Sequence, residues 1–231
     1  MGLPTRMPHE IAYRRFLVAL ALCAVSLLLC ICYVDRPAAE FFHSHVRPYS
    51  VWTWLNRLLA PLAVIPVLAL FFQFGAGSWL LFGRRLASWA QTSLLYSSGT
   101  IWAISAEFVL KRICGRGSPD PTYLASHFYG FRFLNAGGGW DSFPSGTSTI
   151  ALTIVTITCL RFPRWRIAVS ILAGLVCIGV TITNGHWVSD VMAGMLLGAS
   201  IGWMTVVIAG SSQAVRHKSL VAQPGRRAKR G

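Results

Sequence analysis

The sequence predicts an all-α fold, a polytopic membrane helical bundle of six transmembrane helices with both termini cytoplasmic. Three observations carry that prediction. Of 231 residues, 54% are hydrophobic and only 12% charged, where a soluble domain carries about a quarter charged. The apolar residues come in long blocks without the period-2 alternation of a membrane β-barrel. The 21 Lys and Arg residues gather between those blocks and at the chain ends.

Residues 1–15 are polar and basic, with Arg6, Arg14 and Arg15, and form a short cytoplasmic segment. Phe16 to Val34 is almost wholly apolar and long enough to span. It is longer than a signal-peptide core, and no clear small-x-small site precedes Asp35-Arg36-Pro37, so a retained first span is expected. A loop with Glu40, His43, His45 and Arg47 follows, rich in aromatics that suit a membrane interface. The second span is expected over Leu58 to Phe74, kinked by Pro61 and Pro66. The third runs from Ala87 to Leu110 and leads into Lys111-Arg112. Residues 111–143 form the one long non-apolar segment, and a loop of that length in a compact protein is usually functional. The remaining spans are expected over Ser145 to Leu160, Ile167 to Thr183 and Trp187 to about Gly210. The membrane domain is thus 16–210, and residues 211–231 form a basic tail too polar and charged to pack.

Charge sets the orientation. With six spans, the side holding both termini collects fourteen of the 21 cations, which makes it the cytoplasmic side. The 111–143 loop and the turn before Trp187 then face the exterior together. The net charge of +14 is mostly topology and tail, so anionic lipid head groups are the expected partner and nucleic acid is not. Of six cysteines, five lie in or at the ends of apolar runs, where they act as small hydrophobes. Only Cys114 falls in a polar loop. Neither a disulfide framework nor a zinc spacing is present, and no metal site is expected.

Three clusters share the outer side. Lys111 to Pro119 offers ammonium and guanidinium donors (Lys111, Arg112, Arg116) near glycines, suited to phosphate oxygens. Read alone, it is more readily a basic anchor at the head groups than a phosphate site. Asp141 to Thr149 places Ser145 and Gly146 where a helix begins, with free backbone amides and the positive end of the dipole. Asn184 to Asp190 sets His186 and Asp190 one helical turn apart, so that the carboxylate can orient the imidazole. On spacing alone that stretch is equally a polar helix start. Glu107, one turn before Lys111, is expected to pair with it inside the lipid.

Lys111 to Pro119, Pro144-Ser145-Gly146 and His186-x-x-x-Asp190 resemble the three signature motifs of the type 2 phosphatidic acid phosphatase superfamily, which spans acid phosphatases, lipid phosphatases and vanadium haloperoxidases. The resemblance covers roughly residues 87–210. It implies His186 as nucleophile forming a phosphohistidine, Asp190 as its orienter, and Lys111, Arg116, Ser145 and Gly146 as phosphate holders. No cofactor is implied. The chain departs from the pattern at three places: Ser118 stands where the first Arg belongs, Thr147 where the general-acid His belongs, and Gly179-Val180 where Ser-Arg belongs. Arg112, Arg132 and Thr147 are the candidate substitutes near the phosphate, and His127 the candidate acid. The function implied is hydrolysis of a lipid or isoprenoid phosphate or diphosphate at the outer face of a bacterial inner membrane, toward the periplasm. The alternatives are a lipid phosphoryl transferase, or a non-catalytic member that binds or translocates anionic lipid.

Overall fold

The computed structural model describes residues 18, 21–47, 50–83, 86–134 and 138–221, with residues 50, 51, 121 and 211–221 described by backbone alone. The 1–15 segment, Arg84, Arg85 and residues 222–231 lie outside the described residues. Six helical rods occupy the places of the six expected spans. We label them α1 (Ala21–His45), α2 (Trp52–Leu81), α3 (Ser88–Cys114), α4 (Gly146–Arg161), α5 (Arg166–Ile182) and α6 (Val188–Val221). Four stretches are both long and apolar enough to cross a membrane: α1, α2, α5 with the turn before it (Pro163–Ile182), and the Val188–Gly210 part of α6. Rod α3 has the length but carries many polar residues, and α4 is apolar but 16 residues long. Among the described residues there is no β-strand, only an isolated bridge between Arg116 and Phe131.

The rods differ from the expected spans at their ends. The stretch from Asp35 to His45, expected as loop, continues α1 as helix. Pro37 has no N–H to give to the carbonyl one turn back, and a π-helical turn over Cys30–Val34 directly before it takes up that irregularity. Rod α2 begins before Leu58 and ends after Phe74. It contains a 3₁₀ turn over Ala60–Val64, with Pro61 at its start and Pro66 opening the segment beyond. Rod α3 stops at Gly115, whose φ of 52° is the left-handed conformation that ends a helix. Rod α6 runs on to Val221, into what reads as tail.

The bundle is inside-out relative to a soluble one. Large apolar side chains such as Phe71, Phe74, Leu81, Trp102, Leu172 and Trp203 are exposed on the outside, which in a membrane protein is the lipid-facing surface. Small and hydroxylated residues fill the inside: Ser145, Ser148, Thr149 and Thr153 are all fully buried. Lipid supplies no hydrophobic force between helices, so close backbone approach and buried hydrogen bonds hold them together. The most extensive pairing is α4 with α6. Gly194, Gly198 and Gly202 lie one turn apart along α6, and a Cβ on any of them would run into α4 backbone. Thr153 Oγ1 donates to the Gly198 carbonyl at 3.1 Å across the same seam. Gly198→Leu is therefore expected to separate these helices and lower the thermal midpoint of the detergent-solubilised protein, with overpacking costing at least about 1–3 kcal/mol. Gly174→Leu, at a position with open space around it, serves as the control.

Candidate active site

The three clusters converge at one end of the bundle, held by hydrogen bonds between α3, the loop after it, and the starts of α4 and α6. Arg116 reaches Asp190, Ser145 N–H donates to the Asp190 carbonyl at 3.0 Å, and His186 meets Ser142. His186 precedes α6 rather than standing on its first turn. Asn184, two residues before it, takes a left-handed φ of 56° and breaks the chain away from α5.

The His186–Asp190 relation differs from the expected one. His186 Nδ1 lies 2.9 Å from the Ser142 carbonyl and 3.9 Å from Asp190 Oδ2. A carbonyl only accepts, so Nδ1 carries a proton, and in the neutral ring it is Nε2 that holds the free lone pair. Asp190 acts on this arrangement through Ser142, whose hydroxyl donates to Asp190 Oδ2. The same carboxylate oxygen accepts the Trp187 N–H at 3.2 Å and caps the start of α6. Ser142 is the contact that sequence spacing missed; it sits two residues before Pro144 in the second cluster, with no signal of its own.

Arg116 is not at an open phosphate-facing surface. Its side chain is fully buried between two carboxylates: Nη2 donates to Asp35 Oδ2 at 2.7 Å and Nη1 to Asp190 Oδ1. Ser189 ties the same pair together, accepting from Arg116 Nη1 at 2.6 Å while its N–H donates to Asp35 Oδ1 at 2.9 Å. The rings of Phe131, Tyr129 and Trp187 lie 5.0, 5.3 and 5.4 Å from the guanidinium carbon. Burial alone would lower the Arg116 pKa, but Asp190 and Asp35 beside it turn the net shift upward. Tyr129 is pushed well above the ordinary tyrosine range, chiefly by burial. It stays a neutral phenol, 2.6 Å from the Ile31 carbonyl and 3.0 Å from Asp35 Oδ2. This charge cluster pins α1, the 115–134 loop and the start of α6 together.

The other expected phosphate holders divide. Lys111 pairs with Glu107 at 2.7 Å, as the one-turn spacing implied. Ser145 is the N-cap of α4, fully buried, its Oγ accepting from Ser148 N–H at 3.4 Å. Gly146 opens α4 in direct contact with the Glu107 carboxyl group, which a Cβ at 146 would overlap. Arg132 stacks on Trp140 at 3.9 Å, and Arg112 lies over Phe108 at 5.1 Å. His127, with φ 56°, is exposed and packs edge-on to Tyr123. Ser118, at the place of the family's first Arg, is held within the loop by the Gly139 carbonyl. Among the described residues, no group of three His, Cys, Asp or Glu side chains gathers in a way that suits a metal ion.

A cavity of ≈ 530 Å³ opens between α2, α4 and α5. His186, Gly185, Thr183 and Thr147 line one end, and Leu59, Ile150, Leu172 and Val176 are among the apolar residues lining the rest. Val180, where the family pattern has a cation, is buried and faces this apolar space.

A membrane helical bundle with these motifs gathered at one end defines a class, and the chain belongs to it: the PAP2 superfamily model matches residues 90–213. It is 33% identical over 150 residues to a protein described as "Lipid A 1-phosphatase" from Rhizobium johnstonii, covering 60% of this chain and 58% of that one. It is 34% identical over 151 residues to a protein of the same description from Rhizobium etli, covering 61% and 60%. The matched stretch thus spans less than two thirds of either relative's length. The transmembrane PAP2 type phosphatidylglycerolphosphate phosphatase of Bacillus subtilis aligns over 83% of this chain and 96% of its own, with 17% identity and a TM-score of 0.45.

Proposed function

We propose that this protein is a phosphoric monoester hydrolase that removes phosphate from a membrane lipid, with the 1-phosphate of an acylated sugar lipid as the first substrate to test. The observation that carries the reading is the position of His186. Its Nδ1 proton is committed to the Ser142 carbonyl, and its side chain lines the end of an apolar cavity suited to a lipid chain. Two relatives described as lipid A 1-phosphatases support that choice of substrate.

In the reaction, His186 Nε2 attacks phosphorus, a P–N bond forms, and the P–O bond to the lipid breaks. The departing oxygen takes up a proton, and water then cleaves the phosphohistidine to release phosphate. Lys111, the Arg112 guanidinium and the α4 amides at Gly146 and Thr147 are the donors for phosphate oxygens. Ser145 shapes that helix start as its cap. Ser142, Asp190, Arg116 and Asp35 hold the imidazole in its tautomer. With six spans and the termini inside, the site opens to the periplasmic face of the inner membrane.

A second reading is favoured by one observation: the cations of the first cluster are already engaged, Lys111 by Glu107 and Arg116 by two carboxylates. It is a protein that binds the lipid phosphate without turnover. Purified protein in detergent, presented with lipid A 1-phosphate, phosphatidylglycerophosphate, phosphatidate and undecaprenyl diphosphate, is expected to release inorganic phosphate from at least one. Tight binding with no release from any of them would overturn the first reading in favour of the second.

A further inference from the structure

We propose that Glu107 is the proton donor to the leaving oxygen, taking the role left open by Thr147; this rests on the phosphatase reading above. The argument is one of place. Any phosphate held between the Lys111 ammonium and the first amides of α4 must touch the Glu107 carboxyl group. That group is 2.7 Å from Lys111 Nζ and in contact with Gly146. Its side chain is nearly buried, 13% exposed. Thr147, the next residue along, lines the same cavity as His186. One carboxyl group therefore borders the phosphate cradle at Gly146, the residue before the vacant acid position.

A lipid phosphate arriving as its monoanion draws Lys111 toward itself and brings a second anionic group against Glu107. The monoanion's own proton passes to the Glu107 carboxylate as Lys111 turns to the phosphate, which is left as its dianion. The step then balances. As the His186 Nε2–P bond forms and the P–O bond breaks, the Glu107 carboxyl gives its proton to the lipid oxygen and is left as carboxylate. In the second half, Glu107 takes a proton from the attacking water as the P–N bond breaks and hands it to the departing phosphate, so that the carboxylate pairs with Lys111 again. A threonine hydroxyl at 147 cannot do this, being far too weak an acid.

The test compares leaving groups. A lipid alcohol needs a proton as it departs, worth about 10²–10⁴ in rate, whereas p-nitrophenolate leaves without one. Glu107→Gln is expected to lower kcat/KM on the lipid phosphate by about 10²–10³ and on p-nitrophenyl phosphate by no more than about tenfold. Glu107→Asp is expected to recover part of the lipid activity. The ratio of the two rates within one preparation does not depend on how much of it is folded. Equal losses on both substrates would show that Glu107 serves only to place Lys111, and would overturn the assignment. Improved phosphate inhibition with unchanged ratios would show that it merely competes for the cradle, and would also overturn it. Absence of turnover by the unaltered protein on either substrate would remove the phosphatase reading itself, and this inference with it.

Discussion

Replacing Arg116 with alanine is expected to cost about 3–5 kcal/mol of stability, the range for breaking a buried ion pair from one side. The reason is what remains behind. Asp35 and Asp190 are both fully buried and share this guanidinium, so its removal leaves two carboxylates in a low-dielectric interior with only hydroxyl and amide partners. The three aromatic rings around it also lose their cation. In detergent this is expected to appear as a lower unfolding midpoint, by on the order of 10 °C for a chain of this size. Arg116→Lys is not expected to rescue it, because an ammonium cannot bridge both carboxylates with the fork that Nη1 and Nη2 form. The sequence motif suggested another outcome. A cation that only holds phosphate would raise KM on removal and leave the unfolding midpoint alone, and that result would return Arg116 to the cradle.

The two carboxylates on Arg116 show where sequence legibility ended. The rods other than α3 were readable as blocks of apolar residues between polar punctuation, and the Ser145 cap was readable because a Ser before a Gly-led apolar run is a helix start. The Glu107–Lys111 pair followed from one-turn spacing. Asp35 was not connected to the site, since its partners Arg116 and Ser189 lie 81 and 154 residues further on. One signal was available. The chain has only seven acidic residues, and one placed at the end of a span is costly unless it is paired. The same cost assigns Arg116: with two buried carboxylates nearby, it is worth more as their counter-ion than as a donor facing water. The glycines at 194, 198 and 202 were also legible in principle, as small residues spaced one turn apart. Ser142 was not, because what orients His186 is its backbone carbonyl, and every residue has one.

That carbonyl makes the catalytic prediction specific. His186→Ala is expected to reduce lipid phosphate turnover by at least on the order of 10⁴, as loss of a nucleophile does elsewhere, while leaving the Asp35–Arg116–Asp190 cluster and the unfolding midpoint nearly unchanged. Rapid alkaline quenching of the unaltered protein with labelled substrate is expected to trap a phosphohistidine. Its isomer is fixed by the hydrogen bond: with Nδ1–H given to the Ser142 carbonyl at 2.9 Å, phosphorus is expected on Nε2. Ser142→Ala keeps the carbonyl and removes only the hydroxyl link to Asp190. It is therefore expected to cost about 10–100-fold, the scale of losing one supporting contact behind a reacting group, with the Nε2 adduct retained. Phosphorus found on Nδ1, or turnover that survives His186→Ala, would mean that the ring does not act from the position the structure gives it.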